Sequence, residues 1–136
     1  MNDIAIQLKT LKLYSHLAHN QVSGATFFSD HEFLGGLYEK ADDFYDSVVE
    51  RMIGLGMQPN ITKINVAGVI KLKDLPSIVP DNKSYFVNIL MLTQALYVTL
   101  DATCKLPETT EGTRQLLGGI ADELEVLNYK MKQRVK

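Results

Sequence analysis

The chain has 136 residues, 46% hydrophobic and 22% charged, a balance that excludes a disordered segment or a coiled-coil rod. A domain of this size buries roughly two thirds of the surface its unfolded form exposes, so one core is expected. A formal charge of −2 excludes overall attraction to polyanions, and the single cysteine, Cys104, excludes an internal disulfide or a cysteine-rich zinc site.

The opening "MNDIAIQLKTLKLYSHLAHN" has no basic stretch leading into an apolar run. Nowhere do some 18 apolar residues, about the length that crosses a bilayer, follow one another, so a cytoplasmic protein is expected. Ile4, Leu8, Leu11, Ala18 and Val22, with Leu17 alongside, recur at helical spacing and predict an amphipathic helix from about Asp3 to Val22, ended by Gly24. Ser29-Asp30-His31-Glu32 reads as a capping box that starts a second helix. Phe33, Leu34, Leu37, Ala41, Phe44, Tyr45, Val48, Met52 and Ile53 sustain that helix until Gly54, Gly56 and Pro59 stop it.

Residues 57 to 80 are too long for a tight turn and too short for a domain. Within them "INVAGVIKL" fits a short helix or an extended piece, and a crossover containing a short helix is the reading adopted. A third long helix begins near Asp81 to Ser84 and buries Tyr85, Phe86, Ile89, Leu92, Leu96 and Leu100 before Pro107. A fourth follows from about Thr110 with Leu117, Ile120, Leu124, Leu127 and Met131. Gly118-Gly119 inside it lowers helix propensity and suggests the close approach of a neighbour. Cys104 reads as a small buried apolar residue. The expected fold class is therefore all-α, one domain over residues 1–136: a four-helix bundle with a long central connection, the ferritin-like arrangement.

Asp46 and Glu50 lie four apart, which puts both carboxylates on one helical face about 6 Å apart along the axis, a pair able to bind a divalent cation. His31 precedes Asp46 on the same helix and points in a similar direction, yet stands roughly 22 Å away along it. Metal–ligand bonds are about 2 Å long, so these groups cannot share an ion within one chain. A two-fold axis that packs this helix antiparallel to its mate would bring His31 of one chain opposite Asp46 and Glu50 of the other, with His19 joining from the histidine side. His16, one turn before His19, reads as an ordinary solvated or core histidine. The site that ferritin-like bundles build inside one subunit from Glu-x-x-His is excluded, because no glutamate here is followed three residues later by histidine.

On these residues the stretch from 13 to 59 resembles the signature of the Dps family, the mini-ferritins: His19, Val22, Gly24, Phe27, His31, Asp46, Glu50, Arg51 and Gly56 fall in register. A weaker match continues through Glu111, Thr113, Leu117 and Tyr129. The resemblance implies a hollow homo-oligomeric shell, a dodecamer, with iron bound between two-fold mates by His19 and His31 of one subunit and Asp46 and Glu50 of the other. It further implies that Fe(II) is oxidised there, preferably by hydrogen peroxide and otherwise by dioxygen, and stored as ferric mineral, which suppresses oxidative damage. Imidazole and carboxylate ligands with open positions suit non-haem iron.

The match has gaps. Asn20 and Gln21 replace a tryptophan and an asparagine usual after the first histidine, and the chain has no tryptophan. In the family that aromatic can take up an oxidising equivalent. Asp30 replaces a leucine and reads as an acid favoured at a helix start or as an outer carboxylate of the site. Glu111 matches one acid of the family's iron-entry pore, whereas Gln115 stands where another is usual. Lys130, Lys132, Arg134 and Lys136 form the densest basic run, best explained as the complement of a helix C-terminus, so DNA binding is expected to be weak or absent. The alternatives to an iron-oxidising ferroxidase are a shell with decayed iron chemistry that acts structurally or on DNA, and a helical interaction module.

Overall fold

The computed structural model describes all 136 residues as five helices and no strand: α1 (Asn2–Gln21), α2 (Phe27–Gly54), α3 (Ile61–Lys73), α4 (Asn82–Cys104) and α5 (Glu111–Arg134). Short connections make hairpins of α1 with α2 and of α4 with α5, and α3 crosses between them while packing on α1. Side chains set three of the starts. Asn60, Asp81 and Thr110 each accept a backbone N–H three residues on, from Lys63, Ser84 and Thr113, as helix N-caps do.

The start of α2 differs from the expected capping box. Asp30 N–H already bonds Thr26 O at 3.0 Å, so the helix begins at Phe27, and the Ser29 hydroxyl donates to Thr26 O instead of accepting an orphan N–H. Gly24, at φ +82°, turns the chain sharply enough to permit this early start.

One cluster of buried side chains joins the helices, with Leu8, Leu11, Tyr14, Leu34, Phe86, Ile89, Leu96, Leu117 and Leu124 among those sealed from solvent. α4 is long and apolar enough to cross a bilayer by composition, but its buried residues, Tyr85 to Leu100, belong to this core. Leu92 is only half-buried; Thr93 takes the interior position and donates its hydroxyl to Asn128 Oδ1 at 2.6 Å. Ile53 is exposed, while Met52 beside it takes the interior position. A Cβ at Gly118 or Gly119 would meet nothing within 4 Å beyond its own helix, so the close approach expected there does not occur within the chain. It occurs at Gly68 of α3, where a Cβ would stand 2.6 Å from Lys9 Cγ on α1.

Two tyrosines fasten the crossover to the bundle. Tyr14 donates to Pro76 O at 3.0 Å and accepts from Asn88 at 2.8 Å, while Tyr85 bonds Gln21 Oε1 at 2.6 Å and Ser77 O at 3.0 Å. Burial pushes both phenols above their ordinary pKa, so their contribution to stability is complete below about pH 10 and is lost as pH rises through the raised folded values. Urea midpoints measured from pH 9 upward should fall steeply for the native chain and less steeply for Tyr14→Phe/Tyr85→Phe.

Candidate functional site

His19 lies in the last turn of α1 and His31 in the first part of α2, and the corner between them folds the two rings face to face, 3.7 Å between centroids and 19° between planes. Their hydrogen bonds are reciprocal. Nδ1 of His19 bonds the backbone carbonyl of His31 at 2.7 Å, and Nδ1 of His31 bonds the carbonyl of His19 at 2.8 Å. A carbonyl only accepts, so both Nδ1 atoms carry a proton, and in the neutral imidazole the lone pair is then on Nε2. The His19 carbonyl is also one of the acceptors that the end of α1 leaves without an intrahelical partner, so the ring of His31 completes that helix terminus.

Aromatic rings wall the pair. Phe27 stacks on His31 with centroids 4.8 Å apart, and Tyr38 presents its edge to His19 at 5.3 Å. The exposed His16 stacks on the opposite side of the same group, 4.3 Å from Tyr38 and 6.2 Å from His19. Gly35 supplies the space on α2: a Cβ there would stand 3.1 Å from His19 Cε1 and 3.3 Å from its Nδ1. Sequence reasoning passed over Gly35 and Tyr38. Their signal lay in α2 periodicity, since both occupy the face one turn and two turns beyond His31. We expect Gly35→Ala to raise helix stability by about 1 kcal/mol while displacing the His19 ring. Urea melts paired with the NMR signals of the His19 ring would detect the two effects.

Asp46 and Glu50 occur together farther along α2, both exposed. Glu50 borders a shallow groove with Ser47, Arg51, Gly54, Leu55 and Leu116. Asp46 acts on Lys9, whose ammonium lies 4.2 Å from the Tyr45 ring centroid; burial and then Lys12 lower the Lys9 pKa, against Asp42 and Asp46, which raise it. The structure thus brings His19 to His31 and leaves the carboxylates apart from them: no three His, Cys, Asp or Glu side chains converge within the chain.

Asp30 faces neither the rings nor solvent. It is 2% exposed and held by the guanidinium of Arg134, with Nε to Oδ1 and Nη2 to Oδ2 both at 2.9 Å. Burial alone would raise its pKa, but hydrogen bonds from Arg134, Thr26 and Asn82 outweigh that and hold the carboxyl below its ordinary range. Asn20 is exposed, Glu111 pairs with Arg114 at 3.6 Å in the first turn of α5, and Cys104 is half-buried at the end of α4.

Comparison with known proteins bears on the fold. No protein-family model matches the chain. A stretch of 70 residues, 52% of the chain, is 31% identical to DNA protection during starvation protein 2 of Deinococcus radiodurans, and it covers 29% of that relative's length. The crystal structure of Dps92 from Deinococcus radiodurans superposes with a TM-score of 0.74 at 21% identity, covering 97% of this chain and 81% of that one. The chain has the Dps fold. Dps from Mycobacterium smegmatis superposes nearly as well, with a TM-score of 0.70 at 21% identity over 98% of this chain and 86% of its own. The all-α bundle with a long central crossover that the sequence predicts is therefore the fold observed.

Proposed function

We propose that the chain is the subunit of an iron-storing shell, in which Fe(II) is oxidised between two-fold mates and kept as ferric mineral. The observation that carries this reading is the reciprocal bonding of His19 and His31, which engages both Nδ1 atoms with backbone and leaves both Nε2 atoms unbonded at the α1–α2 corner, while two exposed carboxylates, Asp46 and Glu50, lie about four turns farther along α2. Half a ligand set at each position is complete only when a second copy supplies the other half.

In this reading His19 and His31 hold ferrous iron through neutral nitrogen, and Asp46 and Glu50 of the mate balance the charge gained on oxidation. The Nδ1–H bonds to backbone keep the tautomer and ring direction fixed, the role that outer groups play around bound metal. Hydrogen peroxide takes two electrons from two ferrous ions and, with two protons, leaves as two waters, so no hydroxyl radical is released. The assembly is a homo-oligomeric shell, proposed as a dodecamer and cytoplasmic.

Crystals soaked with Fe(II) and measured at the iron edge test the proposal directly. Iron between the histidines of one subunit and the carboxylates of its mate is expected; iron held by one subunit alone, or none at the histidine pair, would refute it. A second reading, a shell whose iron chemistry has decayed, is favoured by the exposed Asn20 beside His19 where the family carries tryptophan. It predicts assembly with no faster Fe(II) loss than buffer. DNA retention in a gel shift should be weak at physiological salt, because Arg134 is engaged by Asp30 and only Lys130, Lys132 and Lys136 of the basic run stand free in solvent.

A further inference from the structure

Each ring of the pair takes its orientation from the backbone of the other helix, so both depend on how residues 22 to 30 are held. We infer that Arg134 and Asn82 are positioning residues for the histidine pair, acting through Asp30 and the corner it closes. The inference rests on reading the pair as iron ligands.

Asp30 adjoins His31, and almost everything that holds it comes from the other hairpin. Arg134, in the last turn of α5, forks onto both carboxylate oxygens and also donates to Thr26 Oγ1 at 3.1 Å. Asn82, the first residue of α4, pairs with the backbone of Ser23 in both directions, donating to its carbonyl at 2.7 Å and accepting its N–H at 3.1 Å. The same amide reaches Asp30 Oδ2 at 3.1 Å and Thr26 Oγ1 at 3.3 Å, and the Thr26 hydroxyl donates to Asp30 Oδ2 at 2.7 Å. The guanidinium lies 5.4 Å from the Phe86 ring centroid, which places it against the core.

A carboxylate this deeply buried gains little net stability from its partner, because desolvation offsets the attraction. What a bidentate fork does supply is direction: it fixes a planar carboxylate in place and in angle, which a lysine cannot do. Here the fixed carboxylate belongs to the residue beside a ligand, and the amide of Asn82 fixes the other side of the corner. The His19 and His31 carbonyls are thereby set at the spacing that their mutual ring bonds require.

The test uses the assembled protein labelled with 15N-histidine and examined by magic-angle-spinning NMR, with Fe(II) titration alongside. In the native protein His19 and His31 should each show a single Nδ1–H tautomer. Arg134→Lys, which keeps the charge and loses the fork, and Asn82→Ala, which removes no charge, should both mix the tautomers of these two residues and leave the signal of His16 unchanged. The Fe(II) midpoint should rise about tenfold or more, the usual effect of removing support around a ligand. Native tautomers and an unchanged midpoint in variants that retain helix content and assembly would overturn the inference. If the native protein binds no iron, the ligand reading fails separately, and the tautomers still decide whether these residues position the rings.

Discussion

Shells assembled from equal amounts of His31→Ala and Glu50→Ala subunits should oxidise Fe(II) with peroxide at about a quarter of the native rate, although shells of either variant alone should do no better than buffer. Random mixing makes about half of the two-fold pairs heterologous, and each such pair carries one intact site and one doubly broken site. The complementation follows from geometry. His31 and Glu50 lie on one helix, α2, too far apart to share an ion, and no cluster of ligands closes within the chain. Stopped-flow measurement of Fe(II) loss on mixed and unmixed assemblies decides the matter. A site built within one subunit would give no recovery on mixing.

Phe86→Ala should lower stability by about 3–5 kcal/mol, read as a shift in the urea midpoint at unchanged slope. Phe86 is 1% exposed, lies 5.9 Å from the ring of Phe33 and carries the guanidinium of Arg134 over its face. Truncation removes the transfer energy of a whole ring, leaves a cavity between α2, α4 and α5, and deprives the guanidinium of its aromatic support. A cost below about 2 kcal/mol would mean that the helices collapse into the space, which the fork between Arg134 and Asp30 should prevent.

Helical periodicity was strong enough in this chain to place every long helix, because buried leucines and β-branched residues recur every three to four positions along each. It did not decide the crossover, where "INVAGVIKL" fits a short helix or an extended piece alike; the structure forms the helix there and extends it to Ile61–Lys73. What it could not place were the effects of contacts between hairpins. Asp30 looks like a helix-start acid until Arg134, distant in sequence, is folded against it. Ser29 looks like a cap until Thr26 and Gly24 let the helix begin sooner. The spacing of His19, His31, Asp46 and Glu50 was legible, as was the separation of two of them from the other two. The bonding of each imidazole to the opposite carbonyl was not, since ring direction depends on a corner whose shape is set by residues 82 and 134.

Connecting loops ordinarily absorb gains and losses of length with little penalty, but the turn at Gly24 cannot. Each imidazole measures its position from the far helix, so one added residue between Val22 and Thr26 would rotate α2 about its own axis and aim both rings at the wrong neighbours. The same insertion between α4 and α5 would reach the rings only through Arg134, and would leave them in place as long as the guanidinium still meets Asp30. Homologous chains should therefore vary in span at the second hairpin and stay fixed in span at the first.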